Sequence, residues 1–218
     1  MSSGPDHQND ALADWLRIRT EISWPRWSGE HPVAEPPALD GFRDFFTATR
    51  GGRDVEGTAR VLAALDRALA DAEQGAQLTF SLMANWQRAV LGRSSVDFRT
   101  MPAFAKGGLE RYGLAPDTHA LFEHCLAEST RPDLPLPSRA ARTYLDVVFF
   151  HPFEDGNARA AMLALAFVLA REGVSLDQVH PLQATRWADD AEGAADLAVL
   201  LGILITAAER RLSNGSQA

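Results

Sequence analysis

The sequence predicts an all-α protein, a bundle of about eight helices with one small β-hairpin. Two observations predict it. Apolar residues recur at helical spacing in one segment after another, as in Val61, Leu62, Leu65 and Leu69. Proline and glycine clusters separate those segments, as at Arg50-Gly51-Gly52 and Arg131–Pro137. A third observation adds a short β-hairpin or extended loop: within Gly92–Gly108 no 3.6-residue period is sustained, and Val96-Asp97-Phe98-Arg99 alternates.

The elements follow in order. Residues 1–9 read as a polar leader. Asp10–Ile22 places Leu12, Trp15, Leu16, Arg19 and Ile22 at helical spacing, with Asp10 as cap, and ends before Pro25. Trp24–Pro37 is a proline-rich connection, with Trp15, Trp24 and Trp27 as packing anchors. Leu39–Thr49 carries Phe42, Phe45 and Phe46 on one face, and Val55–Glu73 is a longer helix. Leu78–Leu91 turns Leu78, Leu82, Trp86, Ala89 and Val90 inward. Pro116–Glu128 packs Leu121, Phe122, Cys125 and Leu126, and Ser138–Phe150 begins with Ser138 as N-cap. Ala158–Arg171 is apolar almost all round, which marks a central buried helix, and Gly173 ends it. Val174–Gln183 connects it to Trp187–Leu212, a final helix or helix pair with Leu197, Leu200, Leu201, Leu204 and Ile205 inward. The division expected is 1–38 as an N-terminal extension with one helix, 39–173 as the core and 174–218 as a C-terminal helical extension.

Composition narrows the function. The chain of 218 residues is 46% hydrophobic and 23% charged, ordinary for a soluble globular protein. Its net charge is −8 and its basic residues form no stripe, which argues against a nucleic-acid partner. The apolar runs Ala160–Ala170 and Leu197–Thr206 are too short to cross a bilayer, and no secretory signal begins the chain, so a cytoplasmic protein is expected. Cys125 is the only cysteine, and His119, His124 and Cys125 do not share a helical face as metal ligands would.

The chemistry concentrates in His151-Pro152-Phe153-Glu154-Asp155-Gly156-Asn157-Ala158-Arg159, between two apolar helices. A helix N-terminus attracts anions through unpaired amides and its dipole. Arginine on the first turn suits phosphate, a neighbouring carboxylate suits Mg2+, and an upstream histidine suits a general base. The alternative is a capped turn with a surface histidine.

This stretch resembles the signature of the Fic (filamentation induced by cAMP) family, H-x-F-x-[DE]-G-N-G-R-x-x-R. His151, Pro152, Phe153, Asp155, Gly156, Asn157 and Arg159 stand at matching positions, a coincidence expected by chance in about one window in 10^9. The resemblance spans roughly Leu39 to Gly173. It implies a Fic-like helical core in which His151 deprotonates a target hydroxyl and Phe153 anchors the loop. Asp155 would bind Mg2+, Gly156, Asn157, Ala158 and the adjacent helical amides would cradle the α- and β-phosphates, and Arg159 would contact the phosphates. It also implies a flap at Gly92–Gly108 that clamps a target main chain, with Phe98 and Arg99 at the family's G-x-[YF]-R feature. Lys106, on a glycine turn, reads either as a contact to phosphate or substrate or as a solvated lysine. The implied activity is transfer of a nucleotidyl group of the AMP type, or a related phosphate-containing group, from a nucleotide donor such as ATP. The acceptor would be a hydroxyl of a protein or small molecule, and a homodimer stays open.

Two positions depart from the signature. Ala158 replaces the second glycine, and its Cβ narrows the phosphate nest. Met162 replaces the second arginine, whose γ-phosphate contact is worth about 1.5–3 kcal/mol. The donor therefore stays open between a nucleoside triphosphate and another diphosphate compound. A non-catalytic nucleotide- or partner-binding module and a toxin-like enzyme restrained by a separate partner are the competing readings. Glu56-Gly57 fits the end of the family's inhibitory pattern [ST]-x-x-x-E-[GN], but Gly52 holds the Ser/Thr position. A surface glutamate favoured by the helix dipole is the preferred reading of Glu56.

Overall fold

The computed structural model describes residues 10–26, 40–50 and 54–215. The leader 1–9, Trp27 and the connection 27–37, Leu39, and the Gly51-Gly52 break with its Gly52 position lie outside the described residues. Among the described residues are eight α-helices, α1 (Ala11–Glu21), α2 (Gly41–Arg50), α3 (Val55–Glu73), α4 (Phe80–Leu91), α5 (Thr118–Ala127), α6 (Leu136–Phe150), α7 (Asn157–Arg171) and α8 (Ala191–Gly215), and one antiparallel hairpin, β1 (Ala103–Ala105) and β2 (Glu110–Tyr112).

α7 is the axis. Every residue from Ala160 to Leu169 is at most 4% exposed. α6 and α3 pack along it, and α8 packs on the far side of α6. Four small alanines, at 160, 161, 164 and 166, let neighbouring helices approach while Phe167 and the leucines fill the gaps. One continuous apolar cluster runs from Ala11 and Trp15 in α1 through α7 to Leu201 and Ile205 in α8.

The caps explain several boundaries. Asp10 accepts the Leu12 amide at 3.1 Å, Asp54 accepts that of Gly57 at 2.8 Å, and Thr79 accepts that of Leu82 at 3.2 Å. α4 ends where Gly92 turns left-handed at φ 63. Gly41 opens α2 because a Cβ there would lie 2.6 Å from the backbone of Asp177. Its amide bonds to the Leu176 carbonyl at 2.8 Å, which docks α2 on the chain leaving α7.

Three expectations change. α6 starts at Leu136, so Ser138 is not its cap; the Ser138 hydroxyl lies inside the first turn and donates to the Pro25 carbonyl at 3.0 Å. Of the two readings of Gly92–Gly108, Val96–Arg99 takes the loop, outside any strand among the described residues, and the hairpin forms downstream around the turn Lys106-Gly107-Gly108. All three turn residues have positive φ (55, 70 and 90), which two glycines make accessible. Finally, an 18-residue window within Ala191–Arg211 of α8 has mean hydropathy 1.7 and is long and apolar enough to cross a membrane by composition, although the run Leu197–Thr206 alone is too short. Its Leu197, Ala198, Leu201 and Ile205 are buried in the bundle, as in a core helix.

Candidate functional site

The site is the loop between the C-terminus of α6 and the N-terminus of α7. His151 caps α6 in the left-handed region (φ 49, ψ 53), with its amide on the Val147 carbonyl at 3.2 Å. Few non-glycine residues hold that conformation, and those that do are held by their surroundings. The imidazole Nδ1 lies 3.0 Å from the Val148 carbonyl. A carbonyl only accepts, so Nδ1 carries the proton and Nε2 keeps its lone pair. The ring is half-buried and stacks on Tyr112, with centroids 5.0 Å apart and planes 16° apart.

Desolvation by burial holds the His151 imidazole below its ordinary value; the Val148 carbonyl opposes the shift and the Arg99 charge adds to it. A base that titrates lower stays neutral further into acid. NMR titration of the His151 ring is therefore expected to give a midpoint below the ordinary 6.5. A midpoint above that value would mean that an acidic neighbour dominates.

The rest of the loop is braced from behind. Phe153 is fully buried and stacks on Phe80 at 5.3 Å. Asn157 brackets it: its Oδ1 accepts the Phe153 amide at 2.9 Å and its Nδ2 donates to the Phe153 carbonyl at 2.7 Å. Gln87 of α4, fully buried, donates from Nε2 to the Asp155 carbonyl at 2.6 Å. Gly156 follows at φ 79, and a Cβ there would stand 2.3 Å from Gln87 Nε2. Gly156→Ala is thus expected to cost about 2 kcal/mol or more, from left-handed strain plus the clash, read as a lowered urea midpoint. A change under about 0.5 kcal/mol would show that Gln87 yields freely.

The outer face of the loop carries the charge. The Ala160 amide bonds back to the Gly156 carbonyl at 2.9 Å, and the amides before it fall outside the reach of the helical pattern. Arg159 lies over this turn, its guanidinium 3.5 Å from both carboxylate oxygens of Asp155. The Asp155 side chain is 67% exposed. A carboxylate so loosely held is free to face a divalent cation, and one carboxylate opposite phosphate oxygens is a usual Mg2+ arrangement. Among the described residues no three His, Cys, Asp or Glu side chains converge on a metal position.

Two adjoining clefts open beside the loop. One of about 370 Å³ is lined by Arg99 through Phe104, His151, Phe153 and Glu154. The other, about 600 Å³, runs along Leu91–Phe98 and shares Thr100 and Glu154 with the first. The hairpin flanks them with exposed Phe104, and Met101 and Leu109 are also exposed at 70% and 75%. On the sheet's other side, Asp10 bridges to Arg111 of β2, which leaves β1 as the edge without a ladder partner among the described residues.

The structure thus places His151, Asp155 and Gly156 in the loop and Asn157, Ala158 and Arg159 in the first turn of α7 that continues it. The Asn157 side chain is turned inward to Phe153, so only its backbone remains for a ligand. Arg99 is buried beneath the loop: its amide donates to the Pro152 carbonyl at 2.9 Å and its guanidinium to the carbonyls of Phe150, Met101 and Gly113. Phe98 stacks on His119 at 4.6 Å. Lys106 is not a solvated lysine on a glycine turn; it pairs with Glu110 at 2.5 Å and lies 4.2 Å from the Trp187 ring. Met162 is 4% exposed and belongs to the core. Glu56 is an exposed first-turn residue paired with Arg60.

Two contributors escaped the sequence reading, Gln87 and Tyr112. Gln87 did leave a signal, since it sits one helical turn from buried Met83 and Val90, a polar residue within an apolar stripe. Tyr112 left none, because its partner His151 is remote in sequence.

Residues 77–169 match the family model described as Fic/DOC family. The fold is similar to that of IbpAFic2 in a complex with adenylylated Cdc42 (TM-score 0.56, 12% identity, covering 88% of this chain and 69% of that one). It is also similar to a Fic-domain-containing signalling protein from Bacteroides thetaiotaomicron (TM-score 0.55, 21% identity, 77% and 76% covered). Fic-1 from C. elegans gives a TM-score of 0.52 at 16% identity, with 95% and 72% covered. No curated protein matches the sequence significantly.

Proposed function

We propose that this protein, whose residues 77–169 match the Fic/DOC-family model, transfers a nucleotidyl group, of the AMP type, from a nucleotide donor to a hydroxyl on a protein target. The observation that carries this reading is the pairing of a neutral histidine, its Nε2 free to accept, with a helix N-terminus bearing Arg159 one short loop away. His151 Nε2 takes the proton of the acceptor hydroxyl. The resulting oxygen attacks the α-phosphorus, the bond from that phosphorus to the bridging oxygen breaks, and pyrophosphate leaves. Arg159 and the first amides of α7 hold the phosphates and stabilise the charge that develops on them. Mg2+ at Asp155 would supply further neutralisation of phosphate charge. A protein acceptor is favoured by the apolar hairpin and by the β1 edge, whose backbone groups suit pairing with an extended main chain.

The test is incubation with Mg2+ and a panel of isotopically labelled nucleoside triphosphates, read by mass spectrometry of the protein and of candidate targets. The expected product is a nucleoside-monophosphate adduct on a Ser, Thr or Tyr side chain. Transfer of the terminal phosphate instead, or no adduct from any donor, counts against the proposal. One observation favours a second donor class: with Met162 buried, the signature's second cation is missing, so a nucleoside-diphosphate-linked donor without a γ-phosphate also suits the site. The same panel should include such compounds.

A further inference from the structure

We infer that Tyr112 is a positioning residue for His151, holding the imidazole plane so that Nδ1 stays on the Val148 carbonyl and Nε2 stays towards the cleft. The hydrogen bond to Val148, at 3.0 Å, fixes one atom of the ring. It does not by itself stop the ring from swinging about its side-chain torsions, since His151 is only half-buried. The parallel face of Tyr112, 5.0 Å away and tilted by 16°, closes one side of that swing.

Tyr112 is itself held unusually firmly. It is 1% exposed, and its hydroxyl donates to Glu110 Oε2. Glu110 and Tyr112 are two apart on β2 and so point to the same face. Glu110 Oε1 accepts the Ala188 amide at 3.0 Å, and Oε2 pairs with Lys106. The Lys106 ammonium also donates to the Arg186 carbonyl and lies over Trp187. The tyrosine is therefore clamped by Arg186–Ala188, residues outside the matched stretch 77–169. A phenylalanine would serve packing alone; a buried hydroxyl needs this acceptor, and the buried carboxylate needs this lysine.

The kinetic part rests on the transfer reaction proposed above; the spectroscopic part does not. With 15N-labelled histidine, at a pH where His151 is neutral, the wild-type ring is expected to show one tautomer, protonated at Nδ1. Tyr112→Leu is expected to give mixed tautomers at His151 and, in the active protein, kcat lower by about 10- to 100-fold with donor KM within about twofold. Tyr112→Phe keeps the face and should keep the single tautomer. Tyr112→Met fills similar volume without a planar face and replaces Tyr112→Leu should that variant not fold. A folded Leu or Met variant with an unmixed His151 tautomer overturns the inference, even if the protein is active. Mixed tautomers in a protein that transfers from no donor uphold it and remove only the proposed reaction.

Discussion

Replacing His151 by alanine is expected to lower the rate of transfer by about 10^3-fold, within the range that a positioned general base contributes. The reason is geometric. The Nδ1 proton is committed to Val148 and the ring is stacked on Tyr112, which leaves Nε2 as the atom able to take a proton in the cleft. Binding should survive, because in the proposed reaction the phosphates are held at the other end of the loop by Arg159 and the α7 amides. Calorimetric titration of the donor should give a Kd within about threefold of wild type. Alanine at φ 49 carries left-handed strain, so His151→Asn is the better-matched control, since asparagine visits that region more readily. Both variants should be comparably inactive. Retention of most of the rate by either one would remove His151 as the base.

Asp146→Ala is expected to destabilise the fold by about 3–5 kcal/mol, the usual result of breaking a buried ion pair from one side. Asp146 is fully buried. Its carboxylate accepts the Trp15 indole N–H at 2.9 Å and two guanidinium N–H groups of Arg19 at 2.7 and 2.8 Å. Without it, Arg19, 5% exposed, keeps as its carboxylate partner among the described residues Glu128 at 2.6 Å, which also serves Arg142 at 2.7 Å. Urea unfolding measures the loss, and a drop below about 1 kcal/mol would mean that Glu128 and water compensate. The exposed pair Arg43–Asp66 is the contrast: Asp66→Ala should cost less than about 1 kcal/mol, since solvent screens it.

Much of this architecture could be read from local pattern. The stripe of α3, the aromatic face of α2 and the all-round apolarity of α7 each follow from spacing within one segment, and each helix lies within a few residues of its expected place. The loop residues were legible for the same reason, since six of them fall within nine positions. What stayed hidden depends on partners far along the chain. Ser138 looks like a cap until Pro25, 113 positions away, takes its hydroxyl. Lys106 looks solvated until Glu110 and the carbonyl of Arg186, 80 positions on, take its ammonium. Alternation at Val96–Arg99 looks like a strand, but Arg99 spends its donors on carbonyls of the loop and of Gly113. Asn157 reads as a phosphate ligand, and only the fold shows its side-chain amide closed on Phe153.

The loop joins the end of one helix to the start of another across residues 151–156. The C-terminus of α6 therefore presents partial negative charge beside His151, and the N-terminus of α7 presents partial positive charge beside Arg159. An approaching polyanion meets a gradient rather than a uniform surface. It is drawn to the α7 end and turned away from the α6 end, so its polarity along the groove is chosen before any side chain grips it. In the proposed reaction the uncharged hydroxyl feels no such sorting and is left the place that the anion avoids.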